Sequence, residues 1–531
     1  MKHYQGTIKP EFFRRMTEEF QRYREHKQAY DRRIIENNRW FKARYQEKQN
    51  GEMPTPTTPY LFNAIANKHA DAMDNYPAPN VLEREESQRK MAETFTRILP
   101  IQLDACNFRR TYSRAWWYKL KNGAACYGVF YNPQLRGGLG EIDIRKIDLL
   151  NLFWEPGVCD IQESRFLFLT ALVDKEDLKE QYPILKEQPF GDSPLEIQTY
   201  EETDARVNQD KVLVVDCYYK KKTPAGRTVE LVKFCGETIL DATEDNGEGG
   251  LYDHGKYPFV MDVLYPDEDS PVGFGLVDII KSPQQYIDRL DWMISRNAMI
   301  SGKTRFMIKD NGGLNEYELS DLSKDIIHVA GSVGDENIRE LQAKPLHTFI
   351  IQHRQNKIEE LKEIAGNRDF QQGQVTGGVT AYSAIAALQQ AGEKMSRDMI
   401  AEGYNAFKEI IYLCIELMRQ FYDEPHAYRV DSMDGKREYL TFSNREWREN
   451  PQQNPAEFDV AVSAEKNNPY NRVAQNQTLT ELWKLGVFRP DLAASAKLLL
   501  EHMYLDGKEK LLESLGSEEY LAMSNQSIGR L

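Results

Sequence analysis

The span from Leu346 to Asp423 constrains the fold of this chain more than any other part of it. Charged, helix-favouring sequence (LHTFIIQHRQNKIEELKEIAG) runs into a loop of Gly, Gln and Thr (NRDFQQGQVTGGVTAYS). A long run follows, AIAALQQAGEKMSRDMIAEGYNAFKEIIYLCIELMRQFYD. Its apolar residues Ile385, Leu388, Met395, Met399, Phe407, Ile411, Ile415, Met418 and Phe421 recur at helical spacing, which predicts one amphipathic helix. At about 1.5 Å per residue it would reach roughly 60 Å, well beyond the average globular helix. A helix of that span serves as a strut through a large assembly or as a coiled coil, and seldom as the wall of an enzyme pocket.

The 531 residues are enough for several domains and more than one core, so disulfide or metal staples are not required. The net charge is −14 and the pI about 5.4. Binding nucleic acid over the whole surface draws on clustered Lys and Arg. That class is therefore excluded, and any contact with DNA is expected to be local or transient. Cys106, Cys126, Cys159, Cys217, Cys235 and Cys414 lie far apart without a CxxC pair, and the chain opens MKHYQGTIKPEFF without a secretory apolar run. The expectation is six reduced core cysteines in a cytoplasmic protein. Apolar stretches such as FLFLTALV fall short of the ~20 residues of a membrane span, so no membrane partner is expected.

Residues 9 to 48 read as an amphipathic helix whose charges face solvent or another subunit, stopping before NGEMPTPTTP. A second helix, YLFNAIANKHADAMD, ends at YPAPN, and a third runs from Glu83 through Trp116 and Trp117 to Lys121. Beyond Gly123 the period shifts to two, and the Gly-rich turn PQLRGGLGE predicts a hairpin of Cys126–Asn132 with Glu141–Ile147. Strands are expected at FLFLTALV, VLVVDCYYKK, TVELVKFCG and PFVMDVLY, with a helix from Lys175 to Tyr182 and an exposed acidic loop, DATEDNGEGG. Ser282 as N-cap and Pro283 at the first helical position predict a helix to about Ser301, with Ile287, Leu290, Ile294 and Ala298 on one stripe. A compact insert with short strands TRFMI, DIIHVA and IRELQ precedes the charged helix at Leu346. The segment around NREWRENPQQNPAEF is poorly patterned, and helix is expected from about Asn468 to Leu515.

Catalytic motifs fail on context. Ser301-Gly302-Lys303-Thr304 imitates the end of a P-loop, but the first glycine of that motif would fall at Asn297, inside a helix. Gly273 and Gly275 lie between strand and helix as in a dinucleotide fingerprint, yet the third glycine is replaced by Asp278, whose carboxylate would face pyrophosphate. His347 and His353, six apart, do not share a helix face for a metal, and neither HExxH nor GxSxG occurs. Acidic pairs such as Glu359-Glu360 and the Asp267-Glu268-Asp269 run are the ordinary yield of an acid-rich chain. No enzyme activity and no cofactor is expected. The loop from Asn367 to Ser383 is compatible equally with a surface connection and with a mobile, uncharged loop facing a ligand or channel.

The order of parts resembles the portal proteins of tailed bacteriophages across roughly residues 10 to 515. The closest stretches are IDLLNLFWEPG at 147–157, SPVGFGLVDIIKSPQQYIDRLDWMISRNAMI at 270–300 and EIAGNRDFQQGQVTGGVTAYSAIAALQQAGEKMSR at 363–397. The resemblance implies a mainly helical α+β portal fold assembled as a ring, usually a dodecamer. By this likeness 1–270 form the wing, 271–300 the first stem helix, 301–345 the clip and 346–365 the second stem helix. The tunnel loop is then 366–380, the long wing helix with its following segment 381–464, and the crown 465–531.

On the same resemblance Gln371, Gln372, Gly373, Gln374, Thr376, Gly377 and Gly378 line a DNA channel, and Asn311, Glu316, Lys324 and Asp325 of the clip dock terminase or adaptor. The implied partners are further copies of the chain, double-stranded DNA, the terminase large subunit, a major capsid or scaffolding protein and a head-tail adaptor. The implied location is one capsid vertex of a virion assembled in the host cytoplasm. An acidic ring suits such a conduit, because it repels a duplex carrying one charge per ~1.7 Å and lets it slide. The competing readings are a cytoplasmic nucleotide-dependent enzyme built on the Gly273 or Gly302 turns, and another ring-forming virion connector. The crown diverges between relatives, and the acidic loop at 241–250 has no counterpart in the resemblance.

Overall fold

The computed structural model describes residues 6–44, 57–182, 184–187, 200, 211–223, 226–246, 250–301, 305–308, 338–341, 346–366, 394–431, 437–445, 458–466, 476, 479–485, 499–500 and 503. The chain divides into two compact units, Met1–Arg39 with Ile65–Asp278 and Arg368–Leu531, and Trp40–Ala64 with Ile279–Asn367. Every strand pair among the described residues is antiparallel, and helices and sheets alternate in an α+β arrangement.

The helices are α1 (Pro10–Phe41), α2 (Tyr60–Asp74), α3 (Arg89–Ala105), α4 (Phe108–Asn122), α5 (Lys175–Gln181), α6 (Leu276–Ser301), α7 (Thr348–Ile364) and α8 (Lys394–Phe421). In the first unit, β4 (Leu152–Phe153), β5 (Phe166–Asp174), β6 (Lys211–Thr223), β7 (Gly226–Cys235) and β8 (Thr238–Ala242) make a five-stranded sheet in that order. One face of it is covered by α1, whose Met16, Phe20 and Tyr23 pack with Phe153, Phe168, Val215, Cys217 and Phe234. Each such side chain contributes roughly 1.5–3 kcal/mol by leaving water. Not all charges of α1 are solvated: Lys27 and Asp31 are buried, paired at 2.8 Å, and the ammonium donates to the Leu150 carbonyl. The helix stops at Phe41 rather than 48, where Ala43 adopts a positive φ of 53°.

The expected hairpin forms with the expected register: β2 (Ala124–Asn132) pairs with β3 (Glu141–Ile147) from Cys126 opposite Ile147 to Asn132 opposite Glu141. On the other side of β2 lies β9 (Phe259–Val263). Against this three-stranded sheet packs α8, a central pillar rather than a one-sided strut. Phe407, Ile410, Ile411, Leu413, Cys414, Ile415, Leu417 and Met418 are all buried, so its apolar surface is wider than a single stripe. The residues before Lys394 that were expected to extend it lie outside those described.

Several expectations are corrected. The stretch YPAPN is not a break but part of β1 (Asn75–Glu83), which pairs along its length with β16 (Phe458–Lys466). Pro77 and Pro79 lie two apart and so occupy the same class of ladder position, one at which no donor is needed, in a sheet of only two strands. The single helix from Glu83 to Lys121 is instead α3 and α4, divided at Asn107, whose left-handed φ of 53° no helix interior tolerates. Poorly patterned sequence after Asp423 contains the hairpin β14 (His426–Asp431) with β15 (Arg437–Phe442). The acidic loop is largely structured: Asp241 and Ala242 end β8, and Glu244 pairs with Lys221 at 3.0 Å while accepting from the Tyr219 hydroxyl. Of the cysteines, Cys106 is half-buried and Cys159 is exposed, its thiol donating to the Glu268 carbonyl.

The helix α6 begins at Leu276, so Ser282 and Pro283 lie inside it. An upstream cap outcompetes Ser282: Asp278, at the third helical position, accepts from the Gly275 N–H at 2.9 Å, the back-bond of a capping box. In the second unit β12 (Arg305–Ile308) and β13 (Ile338–Leu341) fall on the strand candidates TRFMI and IRELQ and pair antiparallel with one another. DIIHVA and most of the expected C-terminal helix lie outside the described residues. The remaining pair, β10 (Tyr265–Asp267) and β11 (Ser270–Phe274), forms a tight hairpin in the first unit.

Candidate functional site

Gln371, Gln372, Gly373, Gln374, Thr376, Gly377 and Gly378 lie outside the described residues, as do Asn311, Glu316, Lys324 and Asp325. On the N-terminal side of the loop the chain is described as far as Gly366. The helix α7 closes on Gly366, whose φ of 67° is the left-handed stop that glycine permits, with its N–H bonded to the Glu363 carbonyl at 3.0 Å. The predicted loop therefore starts from a firmly ended helix.

Within the second unit α6 and α7 are joined by chemistry as well as packing. The Arg354 guanidinium clasps both carboxylate oxygens of Asp291, the Nη2–Oδ2 distance being 3.1 Å, and Tyr286 meets His353 Nε2 at 3.3 Å. Gln284 accepts from the Leu61 N–H and donates to the Thr58 carbonyl and to Asp288. The outer face of α6 carries Gln285, Tyr286, Arg289, Met293 and Arg296, all exposed at helical spacing. His347 caps α7 through its Nδ1, and His353 stacks on Phe349, so both histidines have structural employment. Among the described residues no group of three His, Cys, Asp or Glu side chains is placed to hold a metal ion.

The nucleotide readings meet occupied atoms. A Cβ on Gly273 would lie 1.5 Å from the Tyr265 carbonyl oxygen, and one on Gly275 2.5 Å from that of Lys121. These glycines allow backbone to meet backbone. Arg33 donates to the Gly273 carbonyl at 2.6 Å, and Asn37 donates to Asp278 and to the Lys121 carbonyl. The polar groups a phosphate would need are thus engaged within the chain. For the P-loop imitation, Asn297 and Ser301 are helical, whereas the motif requires a strand before it.

One constellation was missed at the level of sequence. In the first unit, α4 and β3 wall an open cleft of about 710 Å³. Arg110, Arg114, Trp117 and Lys121 follow one another at four, three and four residues, a single stripe of α4, and face Lys146 across the cleft. Four cations there meet one carboxylate, Asp148, which accepts from the hydroxyls of Tyr118 and Tyr200. Arg145, which also borders the cleft, alternates to the opposite face of β3, where it binds Asp143 at 2.6 Å and lies over Phe130. Lys146 lies 4.0 Å from the Tyr118 ring centroid and 3.7 Å from Asp148; burial, assisted by Arg114, lowers its pKa. Lys121 donates to Asn38. Exposed Arg110 and Arg114 make no ion pair among the described residues. The signal was present in RRTYSRAWWYKLK as cations at helical spacing, hidden by the net acidity of the chain.

The first unit is built around the helix α8, and the second around α6 and α7, with the paired strands β12 and β13 between them in sequence. The family model for the phage P22-like portal protein matches residues 223–526, more than half of the chain. The chain belongs to the P22-like family of phage portal proteins, which are structural proteins of the virion rather than enzymes. No curated protein matches the sequence. Among the described residues no helix is long and apolar enough to cross a membrane.

Proposed function

We propose that this chain forms the portal ring at one capsid vertex, a dodecamer through which double-stranded DNA is packaged and ejected, without chemistry of its own. The observation that carries the reading is the family match, whose range, residues 223–526, takes in α6, β12, β13, α7, the Gly-Gln-Thr loop and α8. In this reading 271–300 and 346–365 are the stem, 301–345 the clip, 1–270 with 381–464 the wing and 465–531 the crown. Gln371, Gln372, Gln374 and Thr376 touch the passing duplex through uncharged groups, with Gly373, Gly377 and Gly378 letting the loop move. Asn311, Glu316, Lys324 and Asp325 meet the terminase large subunit during packaging and the head-tail adaptor afterwards, and a capsid or scaffolding protein holds the ring in the head.

The net charge of −14 per subunit supports a conduit over a clamp. Attraction to a duplex would have to come from many Lys and Arg phosphate contacts, and the proposed loop carries a single cation, Arg368, beside Asp369. Negative-stain microscopy of the purified protein tests the reading. Rings with a central hole are expected, with no nucleotide-induced change in melting temperature. A monomer stabilised by nucleotide refutes it.

A further inference from the structure

We propose that the basic cleft between α4 and β3 receives the acidic tip of the β10–β11 hairpin from a second copy of this chain; this rests on the ring reading above. The two surfaces match in charge, size and availability. The cleft holds four cations, Arg110, Arg114, Lys121 and Lys146, and one carboxylate, Asp148, which is already committed to Tyr118 and Tyr200, so an incoming anion meets Arg110 and Arg114 free of ion pairs among the described residues. The hairpin presents Asp267, Glu268 and Asp269 consecutively, all exposed and likewise without an ion pair among the described residues.

The tip is also rigid. Asp267 pairs with Ser270, leaving a two-residue turn, and Cys159 binds the Glu268 carbonyl at 2.8 Å, so little ordering entropy remains to be lost on docking. A cleft of about 710 Å³ is within the range of roughly 300–1,000 Å³ that accepts small ligands. Cleft and tip belong to the same unit, and among the described residues neither is filled by the other within one chain. A contact between two different patches is heterologous, and repetition of such a contact about an axis closes a ring.

Charge reversal tests this on the full-length protein, read by mass photometry and sedimentation velocity over a range of salt. Arg110→Glu with Arg114→Glu, and separately Asp267→Lys with Asp269→Lys, are each expected to raise the concentration for half-assembly about tenfold or more, in the range that charge complementarity commands. Combining the four changes in one chain restores assembly. All four substituted side chains are exposed, so melting temperatures should stay near wild type, and a variant that melts much lower is replaced by the milder Arg114→Gln or Asp269→Asn. Rings that form equally well with either reversal overturn the proposal and leave the ring reading standing. A wild-type chain that never leaves the monomer overturns both. If the arginine variant assembles normally but loses affinity for a labelled single-stranded oligonucleotide, the cleft serves nucleic acid and the proposal is wrong.

Discussion

The buried ion pair between Lys119 of α4 and Asp262 of β9 gives the sharpest test of how the first unit is held together. Their side chains are 0% and 1% exposed, the N–O distance is 2.5 Å, and the ammonium also donates to the Met399 carbonyl of α8 and lies 4.4 Å from the Trp116 ring centroid. One cation thus links helix, sheet and pillar. Burial raises the pKa of Asp262, and Lys119 opposes that rise. Removing one partner from such a pair costs about 3–5 kcal/mol, because the other is left charged and dry, whereas replacing both with apolar groups is often neutral or better. Lys119→Met is expected to lose about that much at pH 7 in urea unfolding followed by tryptophan fluorescence, and Lys119→Met with Asp262→Val to recover most of it.

The pH dependence of the single variant has a definite sign. Without Lys119 the folded-state pKa of Asp262 rises further above its unfolded value, so the protonated form favours folding. That contribution is present at low pH and lost as pH rises, so the deficit of Lys119→Met relative to wild type is largest at neutral pH and smaller near pH 5. A loss under about 1 kcal/mol at pH 7, or a double variant no more stable than the single, refutes the reasoning.

Three further perturbations follow from packing and burial. Gly403 lies within α8, and a Cβ there would come 2.9 Å from Trp116 Cζ2; Gly403→Ala should destabilise by about 1 kcal/mol despite the gain of roughly 1 in helix propensity, since overpacking costs ~1–3, and a more stable variant in urea unfolding would contradict this. Gly275→Ala pushes a methyl onto the Lys121 carbonyl and should cost at least about 2 kcal/mol, read by the same assay; an unchanged midpoint would show that the α4–α6 approach can relax. His254 is held neutral, its Nδ1 accepting from the Lys256 N–H, and burial with the nearby Arg419, Lys256 and Lys220 charges lowers its pKa from 6.5 to about 4. The unfolded chain therefore binds the proton first, and stability is lost as pH falls from about 6.5 toward 4; with solvent screening, His254→Gln should be spared about 1 kcal/mol of the wild-type loss between pH 7 and 5.

What could be read from the sequence was what local chemistry decides. The β2–β3 register followed from period-two patterning on both sides of a Gly-rich turn, and α2 was delimited to the residue by its apolar spacing and the change of composition at its ends. Non-local pairing was invisible. Nothing within β1 announces a partner at Phe458–Lys466, and its two prolines argue locally against a strand until the ladder supplies positions that need no donor. Competition between signals misled the reading of α6, where Ser282-Pro283 is a good helix start in isolation but Gly275 and Asp278 begin the helix about two turns earlier. The proposed channel and docking residues rested on order and resemblance alone, and the basic cleft went unseen because a net charge averages over surfaces that are locally opposite.

That averaging bears on how an acidic chain can both repel DNA and assemble. A subunit of net charge −14 placed beside identical neighbours accumulates repulsion with every copy added, so closure of a ring needs attraction localised where copies meet. In the proposed contact Arg110 and Arg114 in the cleft and Asp267, Glu268 and Asp269 on the hairpin, none of them ion-paired among the described residues, would supply it without making the remaining surface sticky for a duplex. The salt dependence separates this from apolar association. At 0.15 M ionic strength the Debye length of ~8 Å leaves charges in direct contact only weakly screened, and contact pairs lose strength as salt rises. Subunit-subunit repulsion is screened by the same salt. Assembly governed by the cleft should therefore be strongest at intermediate ionic strength and weaken at both extremes, whereas assembly by apolar helix faces alone should strengthen steadily with salt; sedimentation velocity from about 0.05 to 1 M salt distinguishes the two curves, and a monotonic rise is the result that removes the cleft from the account of assembly.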